Sequence, residues 1–527
     1  MTGRGGGYAD RVDITLPDPC SYWLADCPPG APREIGVPPP VDVAVVGGGI
    51  AGITIAYLLK QAGRTVALVE ARRLLDGVTG YTTAKVSAQH GLIYAELRER
   101  FDAETAAGYG ASQLAALDWL RTEIARIGVE CQWADRDSFV YAQDAGRRDR
   151  LRREADVAAE CGLPASFVDD VDLPYPTAGA VRFTGQAQFH PVRWLRALAD
   201  RIPGEGSYVV EQTRVHDVGP DAGTLSTDRG ELRARDVVIA THFPILDRGF
   251  FFARMAPVRD LVVAGPVPAG QAPSGMYLAA DTGHSIRATP LADGRELVIV
   301  LGEHYRPGTQ SEVTDHHRAL ARWAVSRLGL ASVDYRWSAQ DNSTVDRLPY
   351  IGRYTHGSRH LWVATGFGQW GMTNGTLAGL LLRDLITGAD NPWARLYDPA
   401  RTTLRQSAGA FVRDNATVAR HFIGDRLRAA LADTPSDLGP GQAAVCTVGG
   451  HLTALHRDHD GQLTALSARC THLGCAVAYN NAEQTWDCPC HGSRYALDGS
   501  VIQGPATEPL QPLPLPDASI RTPAPPP

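Results

Sequence analysis

Lysine is almost missing from this chain. Of its 51 cationic residues only Lys60 and Lys85 are lysines, and all the others are arginines. Each surviving lysine is therefore worth following, because an ammonium is a compact, titratable charge where a guanidinium is a fixed planar fork. Long hydrophobic runs are missing too. No stretch approaches the roughly 20 apolar residues of a spanning helix, so no membrane span is expected. The opening MTGRGGGYADRVDITLPDPC lacks the hydrophobic segment of a secretory signal, so the expected location is cytoplasmic. Positive charge is in deficit: the net charge is −7, which argues against nucleic acid or an anionic membrane as partner. With 54 glycines and 36 prolines the chain is no helical bundle, and those residues are too scattered for collagen. Its 527 residues suggest three to four structural units.

Nine cysteines in so long a chain do not make a disulfide scaffold. Their distribution is more telling. Cys470, Cys475, Cys488 and Cys490 crowd together beside His472 and His491, which suggests a metal centre.

Residues 1–40 are rich in proline and glycine, and the aromatic phrase SYWLADC is expected to pin this arm to a domain. VDVAVV (41–46) reads as a buried strand, followed by a glycine turn, an apolar-periodic helix and a second strand, TVALVE, that ends at Glu70. Gly47, Gly49 and Gly52 fit G-x-G-x-x-G, with Ile50 and Ala51 opening the helix. Gly47 allows the tight turn, Gly49 lets the backbone approach a pyrophosphate, and Gly52 permits close helix–strand packing. Glu70, about 20 residues on, is placed to bind a ribose hydroxyl pair. FAD and NAD both satisfy this pattern.

Three further segments resemble the D-amino-acid-oxidase-like FAD oxidoreductases, the superfamily of glycine and sarcosine oxidases. Gly77–Lys85 resembles the family's loop past the pyrophosphate to the flavin ring. VVEQTRV and DVVIATH resemble the strand that touches adenine, near Val215, and the returning strand near Thr241. Gly366–Asn374 resembles the glycine loop whose helix start faces the flavin pyrimidine, and Asp346–Gly352 resembles a D-x-x-P-x-I-G element. The resemblance implies FAD, held by Gly47, Gly49, Ile50, Ala51, Gly52, Glu70, Ala71, Thr79, Thr82, Thr83, Val215, Thr241, Gly368, Gly371, Met372 and Thr373. It also brings Lys85 close to the isoalloxazine, as a residue that holds an anionic substrate, polarises N5 or stabilises reduced oxygen. The plain alternative is a surface lysine. His90 is the second catalytic candidate, against a structural role. Arg254, Arg259, Tyr277, Arg287 and His304 fall in the expected substrate sheet, but no carboxylate clamp stands out among them.

Cys470-Thr471-His472 and Cys488-Pro489-Cys490-His491 form two Cys-plus-His loops separated by residues 473–487. Such loops can hold a [2Fe–2S] cluster, with thiolates on one iron and imidazoles on the other; a zinc site is the rival reading. The motif resembles a Rieske signature. The resemblance implies Cys470, His472, Cys488 and His491 as ligands, Cys475 and Cys490 as a disulfide between the loops, and Ser493 and Tyr495 as hydroxyl donors to sulfur. Neutral imidazole ligands and hydroxyl donors raise the potential within the roughly −150 to +300 mV of Rieske centres.

The expected fold is α/β: a Rossmann-like FAD-binding domain with an inserted antiparallel-sheet substrate domain, plus a small all-β Rieske domain. The expected division is an N-terminal arm (1–40), an oxidoreductase (41–400), a helical linker (401–442), the Rieske domain (443–520) and a disordered tail (521–527). Within the oxidoreductase the FAD-binding parts are 41–95, 175–245 and 335–390, and the substrate parts 96–174 and 246–334. The expected function is oxidation of an amine, amino acid or related small molecule at FAD. Electrons then pass singly to the Rieske cluster and on to an external acceptor, either a redox protein or oxygen. Two alternatives remain: current entering through the cluster to drive reduction or oxygen activation at the flavin, and a non-catalytic redox sensor.

Overall fold

The structure, a computed structural model, describes residues 14–33, 36–309, 312–401 and 438–515. The expected helical linker lies almost wholly, and the tail entirely, outside the described residues.

The nucleotide half is built on one sheet of eight strands. Its main path runs Tyr350–Arg353, Leu361–Thr365, Gly230–Ile239, Val41–Val46, Val66–Val69 and Tyr208–Val210. The inner pairings are parallel, with Val43 opposite both Val66 and Asp236. Parallel strands buried on both faces need continuous apolar runs, and VDVAVV and TVALVE supply them. Helices Ile50–Gln61 and Gly371–Thr387 pack together on this sheet. Their contact is close because Gly375 and Gly379 face Ile50 and Thr54, where an added Cβ would come within 2.9 and 2.6 Å.

A second sheet of nine strands carries Tyr335–Thr344, Met255–Val267, Glu296–Tyr305, Ser285–Pro290, Met276–Ala279, Ala134–Tyr141, Ala180–Gln188 and Lys85–Val86 in that order. It is not purely antiparallel, since Met276–Ala279 runs parallel to Ala134–Tyr141. Strands Lys85–Val86, Ala180–Gln188 and Tyr335–Thr344 fall in stretches expected to bind FAD, yet they hydrogen-bond into this second sheet. Alternation of side chains marks a strand but does not say which sheet it joins.

The arm behaves as its aromatics suggest. Tyr22–Asp26 is a short helix, and Trp23 is fully buried. Its indole N–H donates to Thr82 O at 2.7 Å, and Trp337 donates to Tyr81 O at 2.8 Å. The loop 77–83 is thus held from two sides. Helix Val313–Leu328 packs on the second sheet against Met255–Val267 and Glu296–Tyr305. His317 is buried on the inner face of this helix.

The C-terminal unit has two small sheets. One pairs Ala443–Val448, His451–Arg457 and Leu463–Ser467; the other pairs Ala478–Asn480, Thr485–Asp487, Arg494–Tyr495 and Val501–Gln503. It is docked on the second large sheet through charge. Glu483 accepts from Arg259, Arg494 and Ser338, and Gln340 Nε2 donates to Gly492 O at 2.9 Å.

Candidate functional site

The first strand, turn and helix make a cradle that only glycine permits. Gly47 has φ +115°, and a Cβ there would lie 2.4 Å from Ala240 O. A Cβ on Gly52 would lie 1.8 Å from Gly47 O. The helix starts at Ile50 with no side-chain cap on Gly49; Ile50 N–H donates to Thr79 Oγ1 at 3.0 Å, and the partial positive charge of the helix start remains to attract an anion. Glu70 is anchored below: Gly48 N–H donates to Oε2 at 2.6 Å and Arg72 N–H to Oε1 at 2.9 Å. A carboxylate so held keeps lone pairs for a diol. Burial pushes this carboxyl upward, against the two amide donors.

A cavity of about 1550 Å³, counted with its mouth, runs from this cradle to the second sheet. Gly47, Gly49, Ile50, Ala51, Glu70 and Ala71 line one end; Thr79, Thr82, Thr83, Val215 and Thr241 line its flanks. Gly371 and Met372 present the start of the second helix, again with no side-chain cap. These residues fit FAD: a pyrophosphate cradle, a ribose acid, and a helix start for the pyrimidine. Gly52 lies just outside the lining, spent on packing. Gly368 and Thr373 are also outside it. Gly368 adopts φ +57° in the turn before the helix, and Thr373 is buried beside His90.

Both expected catalytic residues lie outside the cavity lining. Lys85 is buried, and its Nζ donates to Tyr277 O at 2.6 Å, tying the flavin-approach loop to the second sheet. Burial, with Arg287 nearby, brings its pKa down to about 7. His90 is buried between Tyr109 OH (2.5 Å) and Ser87 O (2.7 Å), stacked on Trp370 at 4.6 Å. Burial pushes it down to about 3, so it stays neutral.

The expected substrate-sheet cations are spent elsewhere. Arg254 donates to Pro399 O at 2.7 Å, Arg259 is paired with Glu483, and Arg287 donates to Thr83 O and Ala84 O at 3.0 and 2.9 Å. Tyr277 is fully buried against Phe139, and His304 holds Asp260. What the sheet offers the cavity instead is Asp260 and Asp341. Asp260 accepts from Gln369 Nε2; Asp341 accepts from Gln369 N–H at 2.5 Å and pairs with His242 Nε2 at 3.1 Å. Sequence reasoning missed these acids. Gln369 lies inside the glycine loop it singled out, and Asp341 lies just before the Asp346–Gly352 element, but neither carries a signature alone.

The second centre is built locally. In each Cys–His loop a backbone bond closes the turn: Gly474 N–H to Cys470 O at 2.8 Å, and Gly492 N–H to Cys488 O at 3.1 Å. The loops face each other, with the His472 and His491 rings 4.9 Å apart. Tyr495 OH lies 3.2 Å from Cys470 Sγ, and Ser493 also contacts that sulfur. The Cys470 thiol is held below its ordinary value by its hydrogen bond with Cys488, which is pushed up by the same hydrogen bond and by burial. Cys475 is joined to Cys490. Cys475, Cys488 and Cys490 have their sulfurs within 4.8 Å of one another, but two of these are bonded together, so the trio is not a metal triad. The donor set suits a [2Fe–2S] cluster: two thiols, two imidazoles, and His472 Nδ1 buried with no hydrogen-bond partner. The other nitrogen of His472 lies 2.9 Å from Asp247 Oδ1.

A glycine-turn nucleotide cavity under a large sheet, fused to a two-loop cysteine–histidine centre, defines a flavoprotein with an iron–sulfur module. The chain belongs to the DAO family of FAD-dependent oxidoreductases, whose model matches residues 42–385, and carries a Rieske [2Fe-2S] domain, whose model matches 429–514. Its cofactors are FAD and a [2Fe–2S] cluster. The protein YhfW of Bacillus subtilis (strain 168) is 34% identical over 477 residues, 90% of this chain and 93% of that one. Cytochrome b6-f complex iron-sulfur subunit 3 of Nostoc sp. (strain PCC 7120 / SAG 25.82 / UTEX 2576) is 39% identical over 137 residues, 25% of this chain and 74% of its own. The fold of glycine oxidase from Geobacillus kaustophilus covers 69% of this chain and 99% of its own, with TM-score 0.56 at 22% identity. Among the described residues no helix is long and apolar enough to cross a membrane.

Proposed function

We propose that this enzyme oxidises an amine, amino acid or related small molecule at FAD and passes the electrons singly through its Rieske cluster to an external acceptor. FAD supplies two-electron acceptance with one-electron release, and the cluster supplies a one-electron carrier. One observation carries the reading: two consecutive residues join the centres. His242 lines the flavin cavity, and Phe243 next to it packs on His491 with ring centroids 6.0 Å apart. Phe252 packs on the same imidazole at 5.9 Å. The histidine edge of the cluster site is therefore turned toward the flavin half of its own chain, an arrangement suited to exchange between them.

On this reading Gly47–Ala51, Glu70 and the Gly371 helix start hold the dinucleotide, and Cys470, His472, Cys488 and His491 hold the irons. Lys85 ties the loop to the sheet, and His90 fixes Trp370 and the helix behind it. At the sheet end the acids Asp260 and Asp341 favour a substrate that brings a positive charge or hydrogen-bond donors, such as an amine. Five cysteines outside the cluster ligands and the disulfide, Cys20, Cys27, Cys131, Cys161 and Cys446, are unpaired, which supports a reducing, cytoplasmic setting. Exposed Phe250 and Leu473, on the segments that carry Phe252 and His472, offer apolar surface to an acceptor.

Anaerobic stopped-flow mixing with a panel of amines and amino acids tests the proposal. Flavin bleaching followed by the reduced-cluster signal supports it. Cluster reduction that precedes flavin reduction reverses the current, and a panel that never bleaches the flavin refutes substrate oxidation.

A further inference from the structure

The cavity opened by the glycine turn is closed by the other domain. Ile502, Gln503, Gly504, Ala506 and Thr507 line it, and they come from the last Rieske strand and the turn after it. Contacts from both sides fix this segment. Arg214 donates to Val501 O at 2.9 Å and Arg72 to Ile502 O at 3.4 Å. Gln503 Nε2 lies 3.2 Å from His242 Nδ1. From behind, Ala506 N–H donates to Ser493 Oγ at 3.1 Å.

The position along the cavity follows from the same contacts. Arg72 is two residues beyond the ribose acid Glu70, and Arg214 is close enough to Glu70 to feel its charge. The segment therefore stands over the nucleotide end, and only Gln503 reaches toward His242.

We propose that residues 502–507 are part of the FAD site. They form a wall over the adenosine and pyrophosphate half, so that the dinucleotide is bound between the two domains and is retained by Rieske docking. The proposal rests on the assignment of FAD to this cavity, but not on the direction of electron flow. Linkage follows: if docking tightens FAD binding, bound FAD strengthens docking by the same free energy. A cofactor held this way also fixes the spacing between the two redox centres, because the flavin and the cluster loops share one wall.

The test uses the full chain loaded with both cofactors. FAD release after dilution is followed by the rise of free-flavin fluorescence, and the cluster by its EPR spectrum. Thr507→Trp fills the cavity and is expected to weaken FAD binding about tenfold or more, with the EPR spectrum unchanged. Gln503→Ala removes one amide and is expected to speed release several-fold, again with an intact cluster. Wild-type release rates in both variants would overturn the proposal. If Thr507→Trp also loses the cluster signal, it has disturbed the Rieske fold, and the release rate of Gln503→Ala alone then decides. Release that stays slow while substrates still bleach the flavin would sink this inference and leave the proposed oxidation standing.

Discussion

The two redox sites of this chain are assembled in opposite ways. The cluster site is local: all four candidate ligands and their hydroxyl neighbours lie between Cys470 and Tyr495, and two backbone-closed turns present them. The flavin cavity is distributed, drawing on segments from Val46 to Thr507 and on both domains. A local site stands or falls with its ligands. A distributed site loses strength piece by piece, and some of its walls can be moved without touching its motif.

The sharpest way to break that contrast is to remove one piece of each. Cys488→Ser deletes a thiolate for which no neighbour substitutes, since Cys475 and Cys490 are bonded to each other. The Rieske EPR signal is expected to vanish while the yellow flavin absorbance stays. Gly47→Ala puts a Cβ 2.4 Å from Ala240 O at a left-handed φ, and should do the reverse: FAD content falls at least tenfold, with the cluster signal kept. Loss of both chromophores in either variant would mean that the two sites fold as one unit.

How much of this was legible in the sequence follows the same division. The glycine turn, Glu70 and the Cys–His loops could be read because each function is fixed by spacing over a few residues. Thr79, Thr82 and Met372 came only with the family resemblance, and they do line the cavity. Lys85 drew notice through its rarity, yet rarity says nothing of direction, and its amine turns to Tyr277 O. Gln503 and Thr507 gave no local signal, because their place at the cavity depends on how one domain docks on another. The same holds for Asp260 and Asp341, which enter the cavity only through the pairing of long strands.

A smaller effect probes the docking itself. Glu483 is partly buried, its side chain 12% exposed; burial alone would raise its carboxyl, but Arg259 and Arg494 more than offset that and hold it at about 2. Its stabilising contribution is therefore fully present above its ordinary value of 4.5 and is lost as pH falls from there toward 2. Glu483→Gln leaves Arg259 buried without its counter-charge, a loss of about 3–5 kcal/mol for a buried pair. Differential scanning calorimetry at pH 7 should show the Rieske transition moved down and separated from that of the flavin half. At pH 3 the wild type should approach the variant. Identical transitions at both pH values would mean that the docking does not depend on this carboxylate.

The least effect is expected at the junction between the two sites. Asp247 belongs to the flavin half, but its carboxylate lies 2.9 Å from Nε2 of His472, the imidazole whose Nδ1 is free to bind iron. A negative charge on the outer nitrogen of a ligand imidazole raises the basicity of the ring and favours the more positive, oxidised cluster. Asp247→Asn keeps the shape and a hydrogen-bonding group while removing the charge. The midpoint potential should rise by tens of millivolts, on the scale of about 59 mV for a tenfold change in a one-electron equilibrium. Spectroelectrochemical titration of the Rieske band reads it directly, and the flavin potential in the same sample is the internal control. An upward shift confined to the cluster would mean that the flavin half sets the driving force for exchange as well as its geometry. A potential equal to that of the wild type would reduce Asp247 to a docking contact and leave the cluster as local in its energetics as it is in its ligands.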